Sequence, residues 1–153
     1  MYFAEYDSPV GRLRLRSNGR ALTGIWFEGE ACATREDAVL TAVKRWLEDY
    51  FRGVDRAPDF LLEPEGTVFQ RQVWQILQQI SYGETVTYGE IAREMAGRLG
   101  KATMSAQAVG QAVGKNPISI VIPCHRCVGT KGRLTGYAWG IERKQWLLDH
   151  EKS

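Results

Sequence analysis

Ile118-Ser119-Ile120-Val121-Ile122-Pro123-Cys124-His125-Arg126 is the stretch on which the reading of this chain turns. Its β-branched run has the composition of a buried strand, and Pro123, which has no N–H to give a continuing ladder, predicts where that strand ends. A thiol is thereby delivered at a strand end. If the chain enters a helical turn after Pro123, the free N–H groups of that turn favour a thiolate. Cys124 is then a candidate nucleophile. The competing reading is an inert structural thiol, because cysteine is among the most buried residue types. His125 does not decide between them by adjacency, since a base needs hydrogen-bond reach, direct or through one water.

Outward from this stretch, bulk properties narrow the choice. The 153 residues are 44% apolar, enough for one ordinary domain or two small ones with a real core. The cysteines, Cys32, Cys124 and Cys127, are odd in number and lack the spacing of a zinc-ligand array, and there are only two histidines. Neither a disulfide framework nor a structural metal is expected. No apolar run reaches membrane-spanning length, and Met1 to Pro9 lacks the charged-then-apolar build of a signal peptide, so the expected protein is soluble and cytoplasmic. The net charge of +2 conceals an asymmetry. From Val86 to Trp146 nine basic residues (Arg93, Arg98, Lys101, Lys115, Arg126, Lys131, Arg133, Arg143, Lys144) face three acids (Glu90, Glu94, Glu142), a net of +6 that leaves −4 for the remainder. A basic region around the candidate nucleophile suits a polyanionic partner such as nucleic acid; a merely solvated face is the alternative.

Two small units are expected. Tyr2 to Tyr6, Arg12 to Arg16 and Leu22 to Phe27 read as antiparallel strands joined at Ser8-Pro9-Val10-Gly11 and Asn18-Gly19. In Arg12-Leu13-Arg14-Leu15-Arg16 the alternation buries Leu13 and Leu15 and places the three arginines outside. Thr34 reads as the cap of a helix to about Phe51, with Val39, Val43, Trp46, Leu47 and Tyr50 as its core stripe. Asp55 to Gly66 reads as a linker, which divides the chain into an N-terminal domain, residues 1–64, and a C-terminal domain, residues 65–153. The second opens with a capping box at Thr67 and Gln70 and a helix carrying Phe69, Val73, Ile76, Leu77 and Ile80. A second box at Thr87 and Glu90 launches a short helix to about Met95, a Gly-rich and basic loop spans 97–101, and a further helix runs from about Thr103 to Gly114. The last two resemble a helix-turn-helix. Ile141 to Glu151 reads as a terminal helix with Trp146, Leu147 and Leu148 inward.

The helix before Asn116-Pro117 is unusually slim: Ser105, Ala106, Ala108, Gly110, Ala112 and Gly114 leave only Gln107, Val109, Gln111 and Val113 with substantial side chains. Two helical glycines cost about 1 kcal/mol each against alanine. Either the helix packs closely on a neighbour, or it is built to enter a narrow minor groove where large side chains clash.

Thr67 to Glu151 resembles the O6-alkylguanine-DNA alkyltransferases, also called methylated-DNA–protein-cysteine methyltransferases. The likeness rests on Phe69-Gln70 with Val73-Trp74, on Tyr82-Gly83-Glu84-Thr85-Val86-Thr87-Tyr88, on Ala108-Val109-Gly110, on Asn116-Pro117, on Ile122-Pro123-Cys124-His125-Arg126, and on Gly136-Tyr137 through Lys144 to Leu147-Leu148 and Glu151. The resemblance implies an α+β fold: a small N-terminal antiparallel sheet with a helix, ribonuclease H-like, then a mostly helical domain with a helix-turn-helix and a short strand leading to the active cysteine. It implies single-turnover repair of duplex DNA, entered through the minor groove. An O6-alkylguanine is flipped out and its alkyl group passes irreversibly to Cys124, with O4-alkylthymine a second candidate substrate. His125, reached through a water and oriented by Glu151, would take the thiol proton. Tyr88 would lie where the nucleotide swings out, Lys144 would help neutralise the leaving guanine, and Arg126 would support the site. The backbone near Cys127 and Ala138 would hold the guanine edge, Tyr137 would cover it, and Asn116 would brace the turn. The DNA-reading face would be Ala106, Gln107, Ala108, Gly110, Gln111 and Lys115. No cofactor and no membrane are implied, the protein would act as a monomer, and cooperative binding along DNA is left open.

Three residues depart from the family pattern. Gln107 stands where an arginine usually fills the gap left by the flipped base, Trp139 where glycine is common, and Cys127 where an aliphatic residue is usual. Three rival readings, a lesion-binding module without repair, a cysteine hydrolase and a purely structural DNA-binding domain, differ in what they predict: no alkyl gain for the first, turnover for the second, and indifference to Cys124→Ala for the third.

Overall fold

The computed structural model describes residues 1–27 and 33–153, so Cys32 lies outside the described residues. The hairpins form where turn chemistry allows. Ser8 Oγ donates to the Gly11 carbonyl at 2.6 Å, and Gly11 takes φ 121°, which glycine alone adopts freely. At the second turn Asn18 Oδ1 accepts from the N–H groups of Arg20 and Ala21, both at 2.9 Å. Strands β1 (Tyr2–Ser8), β2 (Gly11–Ser17) and β3 (Ala21–Trp26) pair antiparallel in order. Helix α1 (Ala38–Phe51) packs across all three.

Four expectations change here. Arg14 is not on a solvated face: it is 6% exposed and ion-paired to Glu5 at 2.7 Å on the neighbouring strand. The cap of α1 is Asp37 rather than Thr34, for its carboxylate accepts from Leu40 N at 2.9 Å and is held in place by Ser17 Oγ at 2.7 Å. The buried stripe accordingly uses Leu40 in place of Val39. The expected linker contains β4 (Leu61–Leu62), which adds parallel to β3 and is followed by Glu63 N donating to Leu22 O at 2.9 Å. Two residues are too few to show a strand period.

Segment 118–122 is the largest revision. The sheet takes from it a single parallel bridge, Ile118 to Ile25, closed by Ile25 N to Pro117 O at 3.0 Å and Ser119 N to Ile25 O at 3.1 Å. The chain then turns, with Ile120 at φ 71°, a region that β-branched residues rarely enter. Every residue from Ile118 to Ile122 is buried, so the β-branched composition records burial rather than a ladder. Residues 117–121 group with residues 1–65 and Ser153 as one compact unit, and residues 66–116 and 122–152 form the other.

In that second unit α2 (Val68–Gln78) begins at Thr67 with the full reciprocal capping box. Trp74, absent from the expected core set, is 1% exposed and donates its indole N–H to Ala112 O at 2.9 Å, tying α2 to α4. Helix α3 (Tyr88–Leu99) runs a turn beyond Met95 and stops at Gly100 in the left-handed conformation (φ 65°). Helix α4 (Ala106–Gly114) is capped by Ser105 and packs on both α2 and α3. A two-strand pair, β5 (Val86–Thr87) with β6 (Cys127–Val128), and helix α5 (Ile141–Lys152) complete it. Leu147 and Leu148 of α5 are buried, while Trp146 is half-buried and stacks on His150 at 5.0 Å.

Candidate active site

Cys124 opens a one-turn 3-10 helix, Cys124–Arg126, just after Pro123. The Ile122 carbonyl anchors the entry to it, accepting from Cys124 N and from Asn116 Nδ2, each at 2.8 Å. Asn116 therefore joins the end of α4 to the residue two before the thiol. Cys124 is 7% exposed and lies on a cavity of about 450 Å³ whose walls include Tyr88, Gly110, Asn116, Tyr137, Ala138 and Trp139.

The predicted thiolate is not the resting form. Burial pushes the Cys124 thiol up, and the Asn116 amide, the Lys144 charge and the N–H groups of Cys124 and His125 pull it down by less. The helical-turn effect expected from sequence is present and outweighed. A thiol so held needs a base.

His125 is fully buried, and its Nε2 meets Glu151 Oε2 at 2.6 Å. Burial keeps the imidazole below its ordinary pKa despite the opposing pull of Glu151, so the ring is neutral near pH 7. With Glu151 ionised, Nε2 carries the proton and donates it to the carboxylate, which leaves Nδ1 as the acceptor. Nδ1 is buried and has no hydrogen-bond partner among the described residues. Glu151 also takes a bidentate pair from Arg126, Nε at 2.7 Å and Nη2 at 3.1 Å, while Arg126 Nη1 donates to the Ile80 carbonyl at 2.7 Å. Burial pushes the Glu151 carboxyl up, but His125 and Arg126 outweigh it and hold it at about 2.

The other predicted site residues fall into two groups. Asn116, Tyr88, Tyr137, Ala138 and Trp139 line the cavity with Cys124. Arg126, Cys127 and Lys144 are buried and are not among the lining residues: Lys144 is fully buried, its ammonium reaching the carbonyls of Thr135 (3.3 Å) and Gly136 (3.5 Å) and lying 5.9 Å from the Tyr88 ring centre. Burial pulls that lysine below its ordinary pKa and pushes the Tyr88 hydroxyl up. The Ile80 and Thr135 carbonyls were not foreseen, and no side-chain signal marks them, since each contributes backbone alone.

On α4, Ala106, Gln107, Gln111 and Lys115 are exposed, Ala108 and Gly110 are half-buried, and Val109, Ala112 and Val113 face inward. Close packing does not account for the glycines. A Cβ at Gly114 would meet nothing within 4 Å, and at Gly110 it would only touch the Tyr88 ring at 3.8 Å.

Fold and site together define a class: a two-unit α+β protein with a helix-turn-helix whose second helix flanks a small cavity floored by a buried cysteine and its histidine–glutamate pair. The model of the 6-O-methylguanine DNA methyltransferase DNA-binding domain matches residues 68–153, and that of the same family's ribonuclease-like domain matches residues 1–64. The chain belongs to the 6-O-methylguanine DNA methyltransferase family. It is 44% identical to the methylated-DNA–protein-cysteine methyltransferase of Haemophilus influenzae over 99% of this chain and 87% of that one. The Methanosarcina acetivorans methyltransferase is 39% identical over 100% and 99%. Among solved structures, the Mycobacterium tuberculosis OGT in complex with DNA superimposes with a TM-score of 0.85 at 39% identity, covering 99% of this chain and 93% of that one. No helix among the described residues is long and apolar enough to cross a membrane.

Proposed function

We propose that this chain repairs alkylated DNA by turning an O6-alkylguanine out of the duplex into the cavity and taking the alkyl group onto Cys124, once per molecule. The observation that carries this reading is a buried thiol on a cavity beside α4, next to a buried histidine whose Nδ1 has no hydrogen-bond partner among the described residues and whose Nε2 is fixed by Glu151 at 2.6 Å. In the step, His125 Nδ1 takes the thiol proton through a water and the sulfur attacks the alkyl carbon. The carbon–oxygen bond breaks, and the electron pair leaves on the guanine, helped by the nearby Lys144 charge and by hydrogen bonding from Tyr88. The resulting thioether is inert to water, so the reaction ends there. The slim face of α4, through Ala106, Gln107, Ala108, Gly110, Gln111 and Lys115, enters the minor groove, and the protein acts as a monomer. Residues 65–153 carry this chemistry, with residues 1–64 as a structural domain.

Mass analysis after mixing with duplex DNA holding one O6-methylguanine tests the reading. One methyl gained per chain, confined to Cys124 and lost in Cys124→Ser, is expected; repeated turnover would favour the hydrolase and no gain the binding module.

Two departures from the family pattern give further expectations. Gln107 lacks the charge and stacking plane of arginine, so Gln107→Arg is expected to tighten duplex binding about fivefold, the equivalent of about 1 kcal/mol, in an anisotropy titration at fixed salt. Unchanged affinity would remove Gln107 from the interface. Trp139, on the cavity wall, narrows it. The native chain is expected to react with O6-methylguanine about 10-fold or more faster than with O6-benzylguanine in the same duplex, and Trp139→Gly to close most of that gap. Equal rates in the native chain would refute the narrowing.

A further inference from the structure

The thiol of Cys127 has no role in the chemistry above, which draws only on the backbone near it. The residue is fully buried, its side chain lies away from the cavity lining, and it stands three residues after the acceptor in Cys124-His125-Arg126-Cys127. The backbone closes this stretch into one turn: Cys127 N donates to the Cys124 carbonyl as the C-cap of the 3-10 helix. A closed four-residue turn brings its first and last Cα atoms within about 7 Å, and a disulfide spans about 4.4–6.8 Å. The frame is fixed on both sides, by Arg126 bound to Glu151 and Ile80 and by β6 paired to Val86. The two thiols share one set of neighbours. Lys144 pulls both down, Cys124 pushes Cys127 up, and Tyr88, which lines the cavity with Cys124, pulls Cys127 down. Access is unequal, for only Cys124 borders the cavity.

From this geometry we infer that Cys124 and Cys127 form a reversible disulfide under oxidation by a peroxide, which switches the acceptor off and shields it from irreversible over-oxidation. The chemistry balances. His125 takes the Cys124 proton, and the sulfur attacks one peroxide oxygen. The O–O bond breaks, and the departing hydroxide recovers the proton as water, leaving a sulfenic acid on Cys124. The Cys127 sulfur then attacks the Cys124 sulfur, the S–O bond breaks, and the hydroxyl leaves with the Cys127 proton as a second water. Two thiols are oxidised by two electrons and one peroxide is reduced. Burial pushes the Cys127 thiol up to about 12, so it is a poor first nucleophile, and it resolves only after Cys124 has been oxidised. In a thiol-reducing compartment the bond reverses.

The formation of the bond does not depend on alkyl transfer, although its effect on repair rests on the proposed function, so the two ideas fail separately. The full chain is treated with hydrogen peroxide without DNA and digested with trypsin unreduced. Cleavage after Arg126 separates the two cysteines, so a linked pair of peptides, released by dithiothreitol, reports the bond directly. The expected result is that pair in native protein and in Cys32→Ser, with methyl uptake lowered more than 10-fold and restored by dithiothreitol. In Cys127→Val, compared with its own untreated form, Cys124 is expected to proceed to sulfinic acid and uptake to stay lost after reduction. Sulfinic acid on Cys124 of the native chain with Cys127 still free, or a bond that requires Cys32, would overturn the inference. A linked pair in a chain that takes up no methyl before oxidation would leave the switch standing and refute the repair function instead.

Discussion

Glu151→Ala is expected to cost about 3–5 kcal/mol of folding stability, read as a shift in the denaturant midpoint, together with most of the alkyl-transfer rate. The reason is what the carboxylate leaves behind. Glu151 is 4% exposed and compensates Arg126, which is 9% exposed and among the described residues keeps only the Ile80 carbonyl and the Tyr82 ring, 5.7 Å from its guanidinium, once the carboxylate is gone. A buried cation without its partner is the costly case. The same deletion frees the His125 ring to turn and leaves Gly83 N, now 3.4 Å from Glu151 Oε1, without that acceptor. Glu151→Gln keeps the shape and loses the charge, so it falls between the two. A loss below about 1 kcal/mol in Glu151→Ala would mean that the Arg126 pair is solvated in solution.

The pH dependence has a definite sign. The folded carboxyl of Glu151 titrates at about 2 against an ordinary 4.5. A depressed carboxyl pKa stabilises the fold fully above the unfolded value, and that stability is lost as pH falls through the folded one. The gap corresponds to about 3 kcal/mol, lost between about pH 4.5 and pH 2. His125 acts in the same direction, because burial lowers its pKa and the unfolded chain takes up its proton first as pH falls below the ordinary 6.5.

How much of this was legible in the sequence depended on whether the signal was local. The hairpin turns, the capping box at Thr67 and the Thr87 cap of α3 announce themselves within four residues and are found in place, although Glu90 accepts from Thr87 Oγ1 rather than from Thr87 N, so the second box is only half formed. The segment 118–122 misled for a physical reason: burial and strand formation select the same β-branched residues, and only the bridge at Ile118 and the turn at Ile120 tell them apart. Asp37 outcompeted Thr34 as cap because Ser17, far away in sequence, holds its carboxylate. At the site, the resemblance named Cys124, Tyr88, Asn116, Tyr137, Ala138, Trp139 and the His125–Glu151 pair, whereas the bidentate hold of Arg126 on Glu151 and the raised Cys124 thiol depend on burial that no spacing encodes, and Val113, Gly114 and Gly136 of the cavity lining were not foreseen as site residues.

The raised thiol makes the base the decisive group, and this gives the largest kinetic expectation. In the native chain the thiol is protonated and the imidazole neutral near pH 7, so proton transfer between them changes no net charge on the pair. The single-turnover rate on O6-methylguanine DNA is therefore expected to be flat from about pH 7 to pH 8.5, because one pKa lies below that range and the other above it. His125→Gln keeps a polar group against Glu151 but cannot accept the proton, and the rate at pH 7 is expected to fall by about 10²–10⁴. Its pH profile should then change shape. Only spontaneous ionisation of Cys124 supplies thiolate, so the rate should climb about tenfold per pH unit toward the raised thiol pKa. Circular dichroism and the denaturant midpoint separate this from unfolding, which would lower the rate without producing that slope. A flat profile in His125→Gln would show that Cys124 is activated by another group, and Lys144, whose charge already pulls the thiol down, would be the next to test.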